Sequence, residues 1–228
     1  MGMEIEKIAL ERKHQVVLKI NWENLDELTP QNLSKADVAI EFSTPETAPD
    51  NIYKCFNSNI PVVVGTTGWL KQLPEIKSAC VAQNQTLLYS SNFSVGVNLF
   101  FELNKRLAHL MNNYGAYDVS IEEIHHIHKK DAPSGTAITL ANDIINNLER
   151  KHQWINEATL NSSDLFIRSI LEDNFPGTHS VKYSSIIDDI EITHTAHSRA
   201  GFALGAVIAA EWVAGKKGIF GMGDVLSV

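Results

Sequence analysis

Short apolar runs separated by helical segments mark the first part of the chain. They occupy residues 16–18, 38–40, 61–64 and 87–89, and none alternates with polar residues. Strands buried on both faces have this unbroken apolar pattern, whereas strands with one face in water alternate. The spacing therefore predicts a parallel sheet with helices on both of its faces.

The pattern changes after residue 92. Apolar residues recur at helical spacing from Val97 to Leu110, which predicts a helix over residues 95–112. Four later segments are typical of strands in a mixed or antiparallel sheet, namely residues 119–124, 165–171, 181–185 and 190–196. A helix over residues 135–150 interrupts them, and the polar stretch 151–164 predicts an exposed loop.

The end of the chain predicts a return to the first sheet. Residues 201–212 form an apolar helix rich in Ala and Gly. We therefore expect an α/β protein of two domains, the first built from residues 1–92 and 201–228 and the second from residues 93–200. A chain of 228 residues with 44% hydrophobic content can bury the cores that this division needs.

Composition narrows the class of partner. A net charge of −8 and a pI near 5.6 argue against a surface for nucleic acid or anionic membrane. Cys55 and Cys80 form no CxxC pair, which excludes a cysteine-based zinc site. No basic segment followed by an apolar run opens the chain, and the longest apolar stretch is too short to span a bilayer. We expect a cytoplasmic protein with a small-molecule partner.

One polar segment stands between a predicted strand and a predicted helix. His125, His126 and His128 fall within six residues of Lys129 and Lys130. Further along, Ser134 is a good N-cap, and the amides of Ser134, Gly135 and Thr136 would face whatever lies over the helix N-terminus. Such an end binds anions and suits a carboxylate.

Two other interpretations of this segment stay open. It could be a solvated basic loop followed by an ordinary capped helix. It could also contribute metal ligands together with His194 and His197. Adjacent histidines on a strand point to opposite faces, so His125 and His126 would not converge on one ion, and we predict no metal.

The whole segment resembles the signature of dihydrodipicolinate reductases, now named for 4-hydroxy-tetrahydrodipicolinate. Its residues are EIHHIHKKDAPSGTA at positions 123–137. Further matches follow in the family's order, with FSTP at 42–45, GTTG at 65–68, NFSVGVN at 92–98 and ITH at 192–194 before Ser198 and Arg199. The resemblance covers essentially the whole chain and implies a Rossmann-like dinucleotide-binding domain with a mixed-sheet domain for substrate and oligomerisation.

The resemblance also implies roles for the polar segment. His125 would be the acid/base residue and Lys129 the proton donor, while His126, Lys129, Gly135 and Thr136 would hold the substrate carboxylates. Ser134 is placed among the substrate-binding residues, although a role as helix cap is favoured over direct contact. This chemistry suits a cyclic imine dicarboxylate, which needs cationic or amide donors, a hydride on carbon and a proton.

A second group of residues would bind NADH or NADPH. By resemblance these are Gly2, Phe42, Ser43, Gly65, Thr66, Thr67, Ser90, Ser91, Asn92 and Phe93. The GTTG run follows a predicted parallel strand, at the edge where ligands of doubly wound folds bind. By itself that run is typical of a turn, and Phe42 could equally be a core residue at the end of its strand.

The start of the chain departs from the family pattern. A first strand and most of a G-x-G-x-x-G turn are expected before Met1 and Gly2, and their absence predicts weaker dinucleotide binding and lower stability. Either a late start of the gene model or a damaged chain would explain it, and we favour the late start. Asn21, with Lys19 nearby, leaves the choice between NAD and NADP open.

The residues and the resemblance together predict an NAD(P)H-dependent reductase of lysine and diaminopimelate biosynthesis. It would reduce 4-hydroxy-tetrahydrodipicolinate to tetrahydrodipicolinate and assemble as a homotetramer through the second domain. One rival is a remnant deficient in cofactor binding, which holds a pyridine dicarboxylate without turning it over. Another is a histidine-ligated metallohydrolase. His14, His152 and His179 are expected to be surface or structural residues.

Overall fold

Four short parallel strands form the sheet of the first structural unit, in the order β1-β2-β3-β9. They are β1 (Ala39–Glu41), β2 (Val62–Val64), β3 (Thr86–Tyr89) and β9 (Gly218–Phe220). The computed structural model describes residues 1–127, 131–172, 177–198 and 200–228. All three valines of β2 are fully buried, as expected of a central strand covered on both faces. The predicted parallel sheet is confirmed.

Helices cover both faces of this sheet. Two separate segments of the chain form the unit. The unit comprises Met1–Val95 and Ala200–Val228. Its helices are α1 (Gly2–Glu11), α2 (Pro30–Leu33), α3 (Ala48–Asn57), α4 (Leu73–Ala82), α7 (Ala200–Val213) and α8 (Met222–Leu226). One core joins α1, α7 and α8 to Val63 and Leu88, and the other joins α3 and α4 to Val62 and Val64. Because the strands are parallel and lie between two layers of helices, their carboxyl ends lie together at one edge of the sheet.

The strand predicted from the apolar run 16–18 is wrong. Residues 16–20 have no strand assignment, and half-buried Val16, Leu18 and Ile20 alternate with exposed Val17 and Lys19. The unbroken apolar run indicated burial on both faces, and that expectation is wrong as well. A strand also needs a hydrogen-bonded neighbour, and none pairs with this segment among the described residues.

The second unit, Gly96–Arg199, is built on a mixed sheet of five strands in the order β5-β6-β4-β7-β8. The strands are β4 (Asp118–His125), β5 (Gln153–Ile155), β6 (Asp164–Leu171), β7 (Thr178–Ser184) and β8 (Asp189–Thr195). β4, β5 and β6 run parallel, whereas β7 and β8 add antiparallel partners. The predicted mixed sheet is confirmed.

Two helices pack on one face of the mixed sheet. They are α5 (Val95–Met111) and α6 (Gly135–Asn147). Phe100 and Ala108 of α5 share a core with Leu140 and Ile144 of α6 and with the sheet residue Tyr183. Burial alternates along β4, so that every second side chain points into this core.

The exposed loop predicted over residues 151–164 is wrong in part. Gln153–Ile155 forms β5 at the edge of the mixed sheet. Lys151 is 2% exposed, and its ammonium donates to the carbonyl oxygens of Ser162 at 2.8 Å and Asp164 at 2.7 Å. A lysine in a polar stretch looks like a surface residue, but here the ammonium closes the turn that leads into β6.

The C-terminal segment contains more elements than its apolar pattern indicated. After α7 the chain adds β9, which pairs with β3, and then α8. Three residues such as Gly218, Ile219 and Phe220 are too few to give a strand pattern of their own. No helix in the described ranges is long and apolar enough to cross a membrane.

Candidate active site

The polar segment begins where β4 leaves the hydrophobic core. Val119 and Ile121 point into the core of the second unit, and the same face of β4 then carries Glu123 and His125. His126 takes the opposite orientation and is half-buried. β4 thus delivers two polar side chains to a buried position at its end.

A buried carboxylate lies at the centre of the site. Glu123 is 1% exposed, and its Oε1 accepts hydrogen bonds from the backbone amide of Ser134 at 3.0 Å and from Ser169 Oγ at 2.7 Å. Its Oε2 lies 3.1 Å from Nε2 of His125 and 3.5 Å from Nε2 of His179. Four groups, from β4, β6, β7 and the start of α6, therefore surround one carboxylate.

The electrostatics of this cluster favour an ionised Glu123. Burial alone would raise the pKa of Glu123, but hydrogen bonds from His125, His179, Ser134 and Ser169 together hold that pKa well below its usual range. A carboxylate that stays charged can stabilise a positive charge on a neighbouring imidazole.

His179 was expected to be a surface or structural residue, and the surface alternative is wrong. It is 5% exposed on β7, directly opposite Glu123 in the antiparallel register with β4. Its ring meets that of His125 edge to face at 5.0 Å. Fifty-four residues separate His179 from His125, so only the strand register, which a single sequence does not specify, brings the two rings together.

The same register extends the histidine cluster to β8. His194 pairs with His179 across β7 and β8, and its ring lies 6.1 Å from that of Phe100. Burial, followed by the neighbouring His179 and His197, lowers the pKa of His194. A neutral imidazole is therefore favoured at His194.

The structure brings together a different set of candidate metal ligands from the one the sequence suggested. Among the described residues, Glu123, His125 and His179 offer three ligand atoms within 4.8 Å of one another. His126 follows the last residue of β4 and is half-buried. The absence of a metal stays a prediction. Hydrogen bonds from the Ser134 amide and the Ser169 hydroxyl already engage Oε1 of the Glu123 carboxylate.

The helix after the segment begins as predicted. Ser134 caps α6, with its Oγ accepting from the amide of Ala137 at 3.1 Å, and its own amide is taken by Glu123. Gly135 is exposed, and a side chain added there would meet nothing within 4 Å. Gly135 and half-buried Thr136 thus present the open N-terminus of a 13-residue helix. Lys129 lies outside the described residues, as do His128, Lys130 and Arg199.

The predicted cofactor residues of the first unit gather at the carboxyl ends of its strands. The ring of Phe42, after β1, packs directly over Gly65, after β2, where an added Cβ would lie 2.8 Å from Cε2 of that ring. Phe42 also meets Phe93 with ring centroids 5.7 Å apart. Phe42 is therefore both a packing residue and part of this edge.

Two loops complete the edge. Ser43 donates from its amide to Oε1 of Glu41 at 2.9 Å, and its hydroxyl bonds to the same oxygen. After β3, Ser90 Oγ donates to the carbonyl of Asn92 at 2.7 Å, which folds exposed Ser91 outward between them. These bonds fix both loops without using the exposed side of either.

Two buried oxygens at this edge have no hydrogen-bond partner among the described residues. They are Oγ1 of Thr66 and Oε2 of Glu41. Thr67, next to Thr66, is exposed. Orphaned polar atoms beside an exposed glycine-containing loop fit a polar ligand such as a dinucleotide. Gly2, also predicted to contact the cofactor, is the exposed first residue of α1.

Comparison with known families gives two matches that together span nearly the whole chain. Residues 1–93 match the model described as dihydrodipicolinate reductase, N-terminus, and residues 96–226 match the corresponding C-terminus. A 4-hydroxy-tetrahydrodipicolinate reductase of Christiangramia forsetii is 49% identical over 230 residues, covering 100% of this chain and 94% of the relative. One of Methanoregula boonei is 36% identical over 197 residues, covering 85% of this chain and 76% of the relative.

Solved structures support the fold. The chain resembles a dipicolinate-bound dihydrodipicolinate reductase from Paenisporosarcina sp. TG-14 with a TM-score of 0.69 at 24% identity, covering 90% of this chain and 80% of that one. An amine dehydrogenase from Mycobacterium smegmatis gives a TM-score of 0.58 at 9% identity, with 96% and 91% covered. Both likenesses concern the architecture of a Rossmann-like unit joined to a mixed-sheet unit.

Proposed function

The chain belongs to the dihydrodipicolinate reductase family, and we propose that it reduces 4-hydroxy-tetrahydrodipicolinate to tetrahydrodipicolinate at the site around His125 and the N-terminus of α6. As a member of this family it is an NAD(P)H-dependent oxidoreductase of lysine and diaminopimelate biosynthesis. The observation that carries the assignment of the site is the buried Glu123 carboxylate that links His125 to the cap of α6.

The substrate carboxylates would bind where the second unit offers free donors. The exposed amides of Gly135 and Thr136 face outward from α6, and the helix dipole adds a partial positive charge there. His126 and Lys129 would supply cationic contacts, and Ser134 acts through the cap and not by direct contact, since its amide and hydroxyl are engaged. Two carboxylates on one ring can then be oriented for reaction.

The conversion of 4-hydroxy-tetrahydrodipicolinate to tetrahydrodipicolinate requires loss of the hydroxyl group as water, a hydride on carbon and a proton on the atom that develops negative charge. When bound, the reduced nicotinamide supplies the hydride. His125 and Lys129 are the proton-transfer residues in this proposal, with His125 held beside an ionised carboxylate. A general acid of this kind contributes about 10²- to 10⁴-fold in rate.

NADH or NADPH would lie along the carboxyl edge of the first unit's sheet. Phe42, Ser43, Gly65, Thr66 and Thr67 would contact it after β1 and β2. The loop after β3 would add Ser90, Ser91, Asn92 and Phe93, and α1 would add Gly2. The unpartnered Oγ1 of Thr66 supports this placement. The preference between the two cofactors stays open, because Lys19 pairs with Glu6 and Asn21 accepts from the Glu23 amide.

A homotetramer built through the second unit is part of the proposal. Helices α5 and α6 cover one face of the mixed sheet, while the other carries small polar residues such as Ser180 and Thr193, whose hydroxyls pair at 2.8 Å. Ile186 and Ile187, at the turn between β7 and β8, are almost fully exposed, as is typical of protein interfaces. Light scattering would measure the mass. The cytoplasmic location stays a prediction.

Calorimetric titration of the full chain tests this function. NADH and NADPH are titrated with and without pyridine-2,6-dicarboxylate, and turnover of the substrate is assayed in parallel. We expect one cofactor to bind more tightly when the dicarboxylate is present, together with turnover that Lys129→Met abolishes and exposed Lys71→Met preserves. Dicarboxylate binding without cofactor binding or turnover would instead favour a remnant that binds without reducing.

A further inference from the structure

We propose that Glu123 and His179 are positioning residues for His125, and that they make Nδ1 the nitrogen through which His125 exchanges its proton. The inference deepens the function proposed above and rests on it. It assigns roles to a glutamate and a histidine that sequence reasoning left without one.

Strand register is the first step of the argument. Glu123 and His125 are two residues apart on β4 and share the face that points into the second unit. His179 on β7 is the cross-strand partner of Glu123, and Ser169 on β6 is its partner on the other side. Three neighbouring strands thus place the cluster, and no loop is needed to bring its members together.

The carboxylate cannot turn freely. Its Oε1 accepts both the Ser134 amide and the Ser169 hydroxyl, which come from the start of α6 and from β6. This leaves Oε2 directed at the two imidazoles, 3.1 Å from His125 Nε2. Because these two hydrogen bonds hold Oε1 in place, they also restrict the orientation in which Oε2 meets His125.

The positions of the hydrogens follow from the acceptors. An ionised carboxylate only accepts, so Nε2 of His125 must carry a hydrogen to bond with Oε2. Ser134 Oγ accepts from the Ala137 amide, and its hydroxyl hydrogen can then be donated to Nε2 of His179 at 3.1 Å. A neutral His125 is therefore the Nε2–H tautomer. Nε2 of His179 lies 3.3 Å from Nε2 of His125 and 3.5 Å from the same Oε2 of Glu123.

This assignment leaves Nδ1 of His125 with the free electron pair. Nδ1 faces Gly177, where an added Cβ would lie 3.2 Å from it. The acid form carries a hydrogen on both nitrogens. In the reaction the Nδ1–H bond breaks, the proton goes to the substrate atom that gains negative charge, and the electron pair stays on Nδ1.

The charged and titratable groups around this ring explain how the acid form is stabilised. Glu123 faces it from β4 and His179 from β7, and His194 of β8 lies behind His179 in the sheet. Only Glu123 among these three is an anion, and it sits beside the protonated ring. Replacing Glu123 by a neutral side chain removes the anion that lies 3.1 Å from Nε2 of this ring.

Glu123→Gln is the first variant. Its amide can still bond to Ser134, Ser169 or His125, but it now offers a hydrogen where His125 needs an acceptor. We expect kcat to fall by about 10²-fold or more, while KM and the affinity for pyridine-2,6-dicarboxylate stay within about threefold. The pH profile of kcat is measured for both proteins and should differ between them.

His179→Gln is the second variant, and exposed His152→Gln is its matched control. Glutamine keeps an acceptor for the Ser134 hydroxyl but removes the ring that packs edge to face on His125. We expect kcat to fall by about tenfold with little change in KM, as for other residues that orient a reacting side chain. The His152 variant should behave as the wild type.

Nitrogen-15 spectra of histidine-labelled full-length protein read the tautomer without turnover. A hydrogen on Nε2 of His125, lost from that position in Glu123→Gln, would support the proposal, and a hydrogen on Nδ1 in the neutral wild type would overturn it. Unchanged kcat and pH profile in Glu123→Gln would also overturn it, as would parallel loss of kcat, ligand affinity and melting temperature in soluble Ser169→Ala and Glu123→Gln. Absence of reduction by the wild type would reject the proposed function alone.

Discussion

Gly205 of α7 packs against the carbonyl group of Phe93 so closely that a Cβ at Gly205 would overlap its oxygen and lie 2.8 Å from its carbon. The helix therefore has no room for a side chain where it passes the loop after β3. Because Phe93 also contacts Phe42, this contact sets the position of the candidate cofactor edge.

Gly205→Ala is expected to lower the free energy of unfolding by about 1–3 kcal/mol, since the added methyl must push apart packed backbone. Chemical denaturation measures the change. Gly201→Ala in the same helix is the control, because its Cβ would lie 3.6 Å from Ser94 Oγ, an ordinary contact. Alanine there should be neutral or stabilise the helix by up to about 1 kcal/mol. Equal effects of the two substitutions would contradict the packing argument.

Gly65→Ala should weaken the binding of the reduced cofactor more than that of a pyridine dicarboxylate. The methyl would push the Phe42 ring away from the edge where the cofactor is proposed to bind. We expect an increase of about tenfold or more in the cofactor Kd by calorimetry, because overpacking costs about 1–3 kcal/mol. The double variant Phe42→Ala with Gly65→Ala should recover part of the loss if the ring is the cause.

Lys151→Met should destabilise the second unit. The substitution leaves the buried carbonyl oxygen of Asp164 and the part-buried carbonyl oxygen of Ser162 without their donor. Since each such group costs about 1–3 kcal/mol, we expect a loss of about 2–4 kcal/mol in denaturant unfolding. Lys182→Met removes an exposed pair with Asp189 and is the control, with an expected change below about 1 kcal/mol. A loss no larger than that of the control would refute the structural role of Lys151.

Asp143 makes the second unit more stable in mild acid than at neutral pH. Burial raises the pKa of Asp143 to about 6, helped by Glu102 and opposed by Lys105, and Oδ2 has no hydrogen-bond partner within the described ranges. A raised folded pKa means that the folded state binds the proton more tightly, so this contribution to stability is present at low pH and is lost as the pH rises toward 6.

Asp143→Asn should therefore stabilise the protein at pH 7, by about 1 kcal/mol once solvent screening is allowed for. Thermal unfolding from pH 3.5 to pH 7 measures the effect. The difference from the wild type should vanish at the acidic end, where both side chains are neutral, and this comparison is the internal control. A difference that is constant across this range would exclude ionisation of Asp143 as its origin.

Sequence patterns predicted the parts of the fold that rest on local periodicity. The buried strand β2 and the long helix α5 lie where the apolar residues placed them. Val16 and Leu18 show the limit of this approach, because an apolar run indicates a preference for burial and does not show which strand donates hydrogen bonds. The short strand β9 carries too few residues to show any period.

The candidate site was predictable only where its residues are consecutive. His125, Ser134 and Gly135 lie in one motif, and the structure gives them a common setting. His179 and Ser169 join them through strand pairing across long stretches of chain, which no local pattern encodes. Lys151 was predicted to be exposed because lysine usually lies in water. The local sequence does not show that two backbone carbonyl oxygens accept hydrogen bonds from its ammonium.

The helix α6 serves the core and the site at the same time. Leu140, Ala141 and Ile144 are fully buried against the mixed sheet. The amides of Gly135 and Thr136 lie at the N-terminal end of the same helix. A substrate carboxylate that binds there as proposed would meet donors whose orientation the folded core already fixes. Binding would then cost little conformational entropy, because packing of α6 in the core already holds these donors in place.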